Sequence, residues 1–423
     1  MKMKSAADKP ELLAPAGNLE KLTFAVKYGA DAVYFGGDEF NLRVRAGNFS
    51  PENIEKSLQL CREHNVRTVF LMNSFLHEGD LEAARKYINE IKKFKLDAIM
   101  VSDPGMLTML QDTGVEAEFH LSTQMNTLNH LAADFWKRAG FSRIVLARET
   151  TIDEIRAIRE NSDVELEVFA HGALCVAYSG RCLLSRYMTG RDANQGDCSQ
   201  PCRWNYKLVE EKRPGNYLDV IEHQKGTEII SSKDLNTIHR VEEFIDAGVS
   251  AFKIEGRMKS LYHAANTTRI YKHAIQCAGT DDFNRNLSFW QEELDLINHR
   301  PYTDDLFNEF NNLEFTGVPY VRRALFLGYK SGSGDDKRQA LIKTSNPIRT
   351  GEDVEAIFPI DKNIKDGTFT IREIHDMDGN IIEMARPSST CMITFDRDMD
   401  DNAILRRREE TGGDTDKAKG ATT

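Results

Sequence analysis

The sequence predicts an α/β protein built as a TIM-type (β/α)8-like barrel, followed by a small C-terminal antiparallel β-barrel domain. Three observations carry that reading. Short apolar runs alternate with amphipathic stretches from residue 11 to about 275, the pattern of repeated βα units around a parallel sheet. The runs are apolar throughout, as strands buried on both faces must be. No G-x-G-x-x-G follows the first run, where a dinucleotide-binding sheet would need it.

The candidate strands are Leu12–Ala16, Ala32–Phe35, Thr68–Met72, Ala98–Ser102, Ala117–Leu121, Ile144–Ala147, Leu166–Ala170, Ile229–Ser231 and Phe252–Ile254. That is one more than a barrel holds, so one of them lies outside the ring or is misread. The intervening stretches NLEKLTFAVKYG, PENIEKSLQLCREHN and DLEAARKYINEIKKF carry apolar residues at helical spacing. Asn18, Ser50 with Pro51, and Asp80 stand where helix N-caps belong. Polar residues recur just after the strand ends, the face on which barrel enzymes place their chemistry.

The expected organisation is a flexible N-terminus over 1–10, the barrel over 11–277 with a cysteine-rich insertion at 171–227, and a helical connector over 278–323. The β-barrel domain follows over 324–408 and a disordered tail over 409–423. In the C-terminal part, Ser331-Gly332-Ser333-Gly334, Asn346-Pro347, Lys365-Asp366-Gly367 and Asp378-Gly379 are read as turns between strands. The tail is too poor in apolar residues to build a core.

Composition narrows the function classes. Of 423 residues, 40% are apolar and 29% charged, and no apolar run is long enough to span a bilayer. The charged N-terminus lacks a secretory apolar stretch, so a cytoplasmic location without membrane attachment is expected. The net charge of −11 argues against coating nucleic acid wholesale. One segment departs from that balance. Between Cys175 and Lys207 five basic residues (Arg181, Arg186, Arg191, Arg203, Lys207) face two acidic ones (Asp192, Asp197), a basic island fit for an anionic substrate or for offsetting a metal–thiolate cluster.

That island holds four of the seven cysteines, Cys175, Cys182, Cys198 and Cys202, spaced C-x6-C-x15-C-x3-C. In a reducing compartment such a group reads as metal ligands or redox thiols rather than disulfides. Three readings stay open at this point. An iron–sulfur cluster tolerates wide, uneven spacing. Zinc favours closer pairs, and only Cys198 and Cys202 have that spacing. Thiols without metal are the third. Cys61, Cys277 and Cys391 stand apart in two helix patterns and a strand pattern and read as ordinary small apolar residues.

Other candidates lie at strand ends. Glu167, His171 and Glu255 are the acid–base candidates, and with His120 they stand at separate strand ends from which a hydrolytic metal site could be assembled by position. Arg148, Arg181, Lys253 and Arg257 are the substrate-binding candidates; Lys253, Glu255 and Arg257 alternate along one strand end and share a face. Arg43 and Arg45 read as solvated loop charges. No H-E-x-x-H and no G-x-S-x-G occurs.

With these residues on the page, the chain resembles the U32 peptidase family, the collagenase-like proteins. The signature E-x-F-x2-G-[SA]-[LIVM]-C-x4-G-x-C-x-[LIVM]-S appears as Glu167, Phe169, Gly172, Ala173, Leu174, Cys175, Gly180, Cys182, Leu184 and Ser185. Further matching stretches, among them ELLAPAGNLEKL, HLSTQMNTLN, CSQPCRW and KIEGRMKS, extend the resemblance over about residues 10 to 405. The arrangement is most similar to the tRNA-hydroxylating group of the family, which makes 5-hydroxyuridine at the wobble position with prephenate implicated as hydroxyl source. The resemblance therefore implies tRNA as partner, a prephenate-type small molecule, and a [4Fe-4S] cluster on Cys175, Cys182, Cys198 and Cys202, the fourth ligand varying among relatives. Two other readings within the family remain as alternatives: a collagenase-like metallopeptidase, and a non-catalytic subunit of an RNA- or quinone-hydroxylating complex; a protein partner or a homo-oligomer is a further expectation.

Overall fold

A computed structural model gives the architecture. It describes residues 9–42, 48–174, 184–191, 199, 201, 233–304, 321–360 and 366–409, with short strands at 208–209, 217–218, 221–223 and 226–228. The chain divides into two compact units, 1–291 with 299–320, and 292–298 with 321–423.

The first unit is the expected barrel. Its ring strands are β1 (Glu11–Pro15), β2 (Ala32–Phe35), β3 (Arg67–Met72), β4 (Ala98–Val101), β5 (Glu118–Leu121), β6 (Arg143–Val145), β7 (Glu165–Ala173) and β8 (Ala251–Ile254). Each pairs in parallel with the next, and β8 closes the ring by pairing with both β1 (Leu12 opposite Phe252) and β7 (Val168 opposite Phe252). These are eight of the nine sequence candidates; the ninth, Ile229–Ser231, lies outside the described residues. Burial on both faces explains why the strands read as unbroken apolar runs. Leu12 and Phe252 are buried against the helices, while Leu13, Tyr34, Leu71, Met100 and Val145 fill the lumen.

The helices between the strands start where the caps predict. The side chain of Asn18 accepts from Lys21 N at 2.9 Å to open α1 (Leu19–Lys27), and that of Ser50 accepts from Asn53 N at 3.4 Å to open α2 (Pro51–Glu63). Asp80 behaves differently. It precedes α3 (Leu81–Ile91) without capping it, because its carboxylate accepts from His77 N at 2.8 Å and closes a short 3-10 turn just upstream. Further along come α4 (Pro104–Asp112), α5 (His130–Ala139), α6 (Ile152–Asn161), the short α7 (Leu184–Thr189) and α8 (Val241–Asp246). The long α9 (Leu261–Cys277) packs on α1 and β1, and α10 (Asp281–Asp295) follows.

In the second unit six antiparallel strands close a small barrel: β9 (Ala324–Ser333), β10 (Gln339–Thr344), β11 (Asp353–Ile357), β12 (Gly367–His375), β13 (Thr390–Phe395) and β14 (Ile404–Arg408), in the spatial order β9-β10-β13-β12-β11-β14. Leu327, Ile342, Phe369, Ile371, Ile393 and Phe395 are among its core residues. Asp378-Gly379 forms the expected turn, with Gly379 at φ +85° and Asp376 Oδ1 accepting from the backbone N–H groups of Asp378 and Asn380. The expected turn at Ser331–Gly334 moves: β9 continues through Ser331 and Gly332 with a register shift against β10, so chain reversal waits until after Gly334.

Candidate functional site

The barrel lumen is where sequence and geometry meet. Along β7 the side chains of Glu167 and Phe169 face inward, and opposite them on β8 stands Lys253. Lys253 Nζ lies 3.1 Å from Glu167 Oε1 and 3.1 Å from the thioether of Met100, over the rings of Tyr34 (4.7 Å) and Phe169 (5.5 Å). Below this pair Arg143 approaches Glu167 Oε2 at 3.6 Å and reaches Glu11 and Glu165, while Arg67 bridges Glu11 and Glu118. Barrel interiors are ordinarily filled by branched aliphatic side chains. This one is threaded by a column of paired charge.

Burial sets the electrostatics. It works against the Glu167 carboxylate, but Lys253 and Arg143 outweigh it and hold Glu167 below the usual carboxylate range. Burial pulls the Lys253 ammonium below its ordinary value, with Glu167 opposing. Both groups are nearly inaccessible, so their mutual attraction is little screened. Glu118, at the outer end of the column, is lowered to about 2, chiefly by its hydrogen bond with His120.

Toward the C-terminal rim the ion pairs give way to a cluster of amides and hydroxyls flanked by two arginines. Gln124 Oε1 accepts from Ser102 Oγ (2.6 Å), Ser122 Oγ (3.1 Å) and Asn73 Nδ2 (3.3 Å), all buried. Arg257 follows β8 and donates to Asn41 Oδ1 (3.2 Å) and Asn48 Oδ1 (3.0 Å). Arg148, just beyond β6, lays its guanidinium 4.2 Å from the centroid of Phe169 and lines a cavity of about 310 Å³ with Thr150, Thr237 and Arg240.

His171 does not join this constellation. Between Lys253 and Ile254 the β7–β8 register slips by one residue at Ala170, so the inward alternation that places Glu167 and Phe169 in the lumen breaks before His171. Its ring packs outside the ring of strands, against His263 and Tyr271 of α9 and against Tyr302, at centroid separations of 5.8, 5.6 and 5.3 Å. Burial first, then His263, drives its pKa well below the usual imidazole value, and burial with nearby Lys259 lowers His263 to about 4. Both rings are neutral at pH 7. Glu255 is half-buried at the β8 end; its backbone carbonyl accepts from His263 Nε2 at 3.0 Å, and its N–H donates to the His171 carbonyl at 2.8 Å. Glu167, His171 and Glu255 therefore do not converge on one point. Among the described residues no group of three or more His, Cys, Asp or Glu is arranged to hold a metal ion.

The four clustered cysteines and Arg181 lie outside the described residues, as do Arg43 and Arg45. The flanks of the cysteine segment are described. His171, Gly172 and Ala173 pair antiparallel with the short strand Asp234–Asn236, so the segment's two ends are held side by side at the C-terminal end of β7. Gly172 permits this exit: its φ is +109°, and a Cβ there would stand 2.6 Å from the Glu255 carbonyl oxygen. Cys61, in α2, and Cys391, in β13 of the second unit, are buried, and Cys277 ends α9, so each solitary cysteine belongs to a regular helix or strand.

The match to known proteins covers the same ground. The family model of Peptidase family U32 matches residues 17–314, which takes in ring strands β2 to β8 and the cysteine segment and starts just after β1. The chain belongs to the U32 family. Among its U32 relatives is a Bacillus subtilis protein named tRNA hydroxylation protein P1, 36% identical, with the alignment covering 94% of this chain and 95% of that one. A Porphyromonas gingivalis protein named collagenase is 39% identical over 75% of this chain and 79% of its own length. An Escherichia coli 23S rRNA 5-hydroxycytidine C2501 synthase is 35% identical over 73% of this chain and 48% of its own. No helix among the described residues is long and apolar enough to cross a membrane.

Sequence reasoning missed four residues of the site. Tyr34 and Met100 read as plain strand residues and Arg143 stood just ahead of the sixth candidate strand, and only the lumen-facing parity of these strands could have singled them out. Gln124 gave no signal beyond its place after β5.

Proposed function

We propose that this U32 chain is an RNA-modifying enzyme that hydroxylates the wobble uridine of tRNA to 5-hydroxyuridine, taking the hydroxyl group from a prephenate-type small molecule. The observation that carries the reading is the near full-length match to a relative named for tRNA hydroxylation, which takes in the C-terminal β-barrel as well as the ring. A second U32 relative named as a 5-hydroxycytidine synthase supports hydroxylation of a pyrimidine ring.

In this reading Cys175, Cys182, Cys198 and Cys202 hold a [4Fe-4S] cluster. What supports this reading in the described residues is that the two ends of the stretch that carries them meet at the C-terminal end of β7, where His171, Gly172 and Ala173 pair with Asp234–Asn236. When bound, the cluster supplies a redox centre. The protein's own residues do the rest. Arg148 on Phe169 offers a cationic, aromatic-backed surface for a nucleobase or phosphate, the Gln124 amide cluster offers hydrogen bonds at the rim, and the Glu167–Lys253 pair closes the lumen beneath.

The collagenase-like reading lacks support of this kind, since Glu167, His171 and Glu255 do not converge. The test is mass spectrometry of tRNA nucleosides from a strain lacking the gene. Loss of 5-hydroxyuridine and its derivatives is expected; an unchanged nucleoside profile overturns the proposal.

A further inference from the structure

The cavity that Arg148 lines runs outward from the mouth of the lumen. Phe169 stands at its inner end, on the lumen side of β7. Val168, its neighbour in the strand, faces the opposite way and meets the cavity with Ile152 of α6 and Phe244 of α8. The volume is about 310 Å³, near the lower bound for small-molecule sites, which suits one compact ring system rather than a long ligand.

The walls are fixed from within the chain. Thr150 Oγ1 donates to the Ala147 carbonyl at 2.8 Å, Thr237 Oγ1 donates to the Ala170 carbonyl at 3.0 Å, and Thr151 closes a capping box with Glu154 at the start of α6. Having donated their protons, the Thr150 and Thr237 hydroxyls retain acceptor lone pairs. The donor side is Arg148, whose guanidinium carbon stands over the Phe169 ring at 4.2 Å from its centroid.

Charge discriminates among ligands. Among the described residues the lining carries four carboxylates, of Glu149, Asp153, Glu243 and Asp304, against the two guanidiniums of Arg148 and Arg240. Arg240 Nε already donates to Glu243 at 2.8 Å. A phosphate or a di-acid is opposed by that balance. A neutral flat ring is not: it gains from the apolar wall, from stacking on a guanidinium backed by an aromatic ring, and from an edge that carries both carbonyl and N–H groups.

We propose that this cavity takes one unstacked nucleobase of the RNA, stacked on Arg148, and that the base is one flanking the modified uridine. Neither Glu167, Lys253, Gln124 nor Arg257 lines it, so a base held here stands aside from the lumen and the cavity acts as a specificity pocket. This deepens the RNA reading above and rests on it.

The experiment uses the full chain and a tRNA anticodon stem-loop, intact or with a single abasic nucleotide at each loop position in turn. Arg148→Lys keeps the charge and loses the plane; Phe169→Leu keeps the guanidinium and removes the ring behind it, and circular dichroism verifies that each variant is folded. Both variants are expected to bind the intact stem-loop about tenfold more weakly than the wild type, with the slope of log affinity against log salt unchanged. One abasic loop, at a position flanking the wobble nucleotide, is expected to cost the wild type the same factor and the variants nothing further. Coupling at the wobble position itself, or an equal variant penalty on every abasic loop, overturns the proposal. So does wild-type affinity in Arg148→Lys, the behaviour of a phosphate held by charge alone. Free nucleosides and malonate are also titrated against the thermal midpoint. A wild type that binds no stem-loop, yet shows Arg148-dependent protection by nucleosides and none by malonate, overturns the RNA reading and keeps the base pocket; neither binding nor protection overturns both.

Discussion

Lys253 Nζ stands 3.1 Å from Glu167 Oε1 inside the barrel, each side chain almost wholly removed from water. A buried ion pair is costly to assemble and more costly to break, because the survivor is left charged and desolvated. Glu167→Gln or Lys253→Met alone is therefore expected to destabilise the ring by about 3–5 kcal/mol. The double variant Glu167→Leu with Lys253→Met is expected to lose less than either single change. Urea unfolding followed by circular dichroism measures all three; single variants as stable as the wild type would show the pair to be uncoupled.

The neutral His263 makes stability depend on pH. Its folded pKa of about 4 lies below the ordinary 6.5, so between these values the unfolded chain binds more protons than the folded one. Stability is then full above pH 6.5, declines as pH falls toward 4, and levels off below, a span of up to about 3 kcal/mol for this group. Thermal midpoints across that window are expected to fall less steeply for His263→Gln than for the wild type. An equal slope in both contradicts the assignment.

Gly172 is expected to tolerate no side chain. Gly114 also has a positive φ, +62°, but nothing stands within 4 Å of a Cβ there. Gly114→Ala should cost about 1 kcal/mol for the strained backbone. Gly172→Ala adds a collision with the Glu255 carbonyl and should cost clearly more. Matched unfolding curves of the two variants decide the point.

In the second unit Arg406 is buried and bidentate on Glu293, at 2.9 and 2.7 Å, while its Nε donates to Glu355 at 2.8 Å. A lysine carries the charge but not the fork. Arg406→Lys is expected to lower the midpoint of this unit by several degrees, and Arg406→Met, which removes both of its hydrogen bonds to buried Glu293, by more. Differential scanning calorimetry reads both; a midpoint unmoved in Arg406→Met contradicts the role given to the fork.

The ring was legible because double-sided burial writes itself into a strand as an unbroken apolar run, and Leu12, Phe252 and their counterparts obey it. Side-chain direction near a strand end was not. A one-residue slip at Ala170 carries no signature of its own, so His171 looked like a partner of Glu167 and instead packs on α9. Ser331-Gly332 misled for a related reason, since small residues suit a bulge within a strand as well as a turn. Asp80 was recognised as a cap but assigned to the wrong turn.

Hydroxylation of tRNA through the segment that carries the clustered cysteines, as proposed above, makes Cys175 the residue to change. The most direct measurement is nucleoside mass spectrometry of tRNA from the deletion strain, complemented with the wild-type gene or with Cys175→Ser expressed to the same level. Restoration of 5-hydroxyuridine by the wild type and none by Cys175→Ser is predicted. Full restoration by Cys175→Ser, or tRNA that never lost the modification, would contradict it.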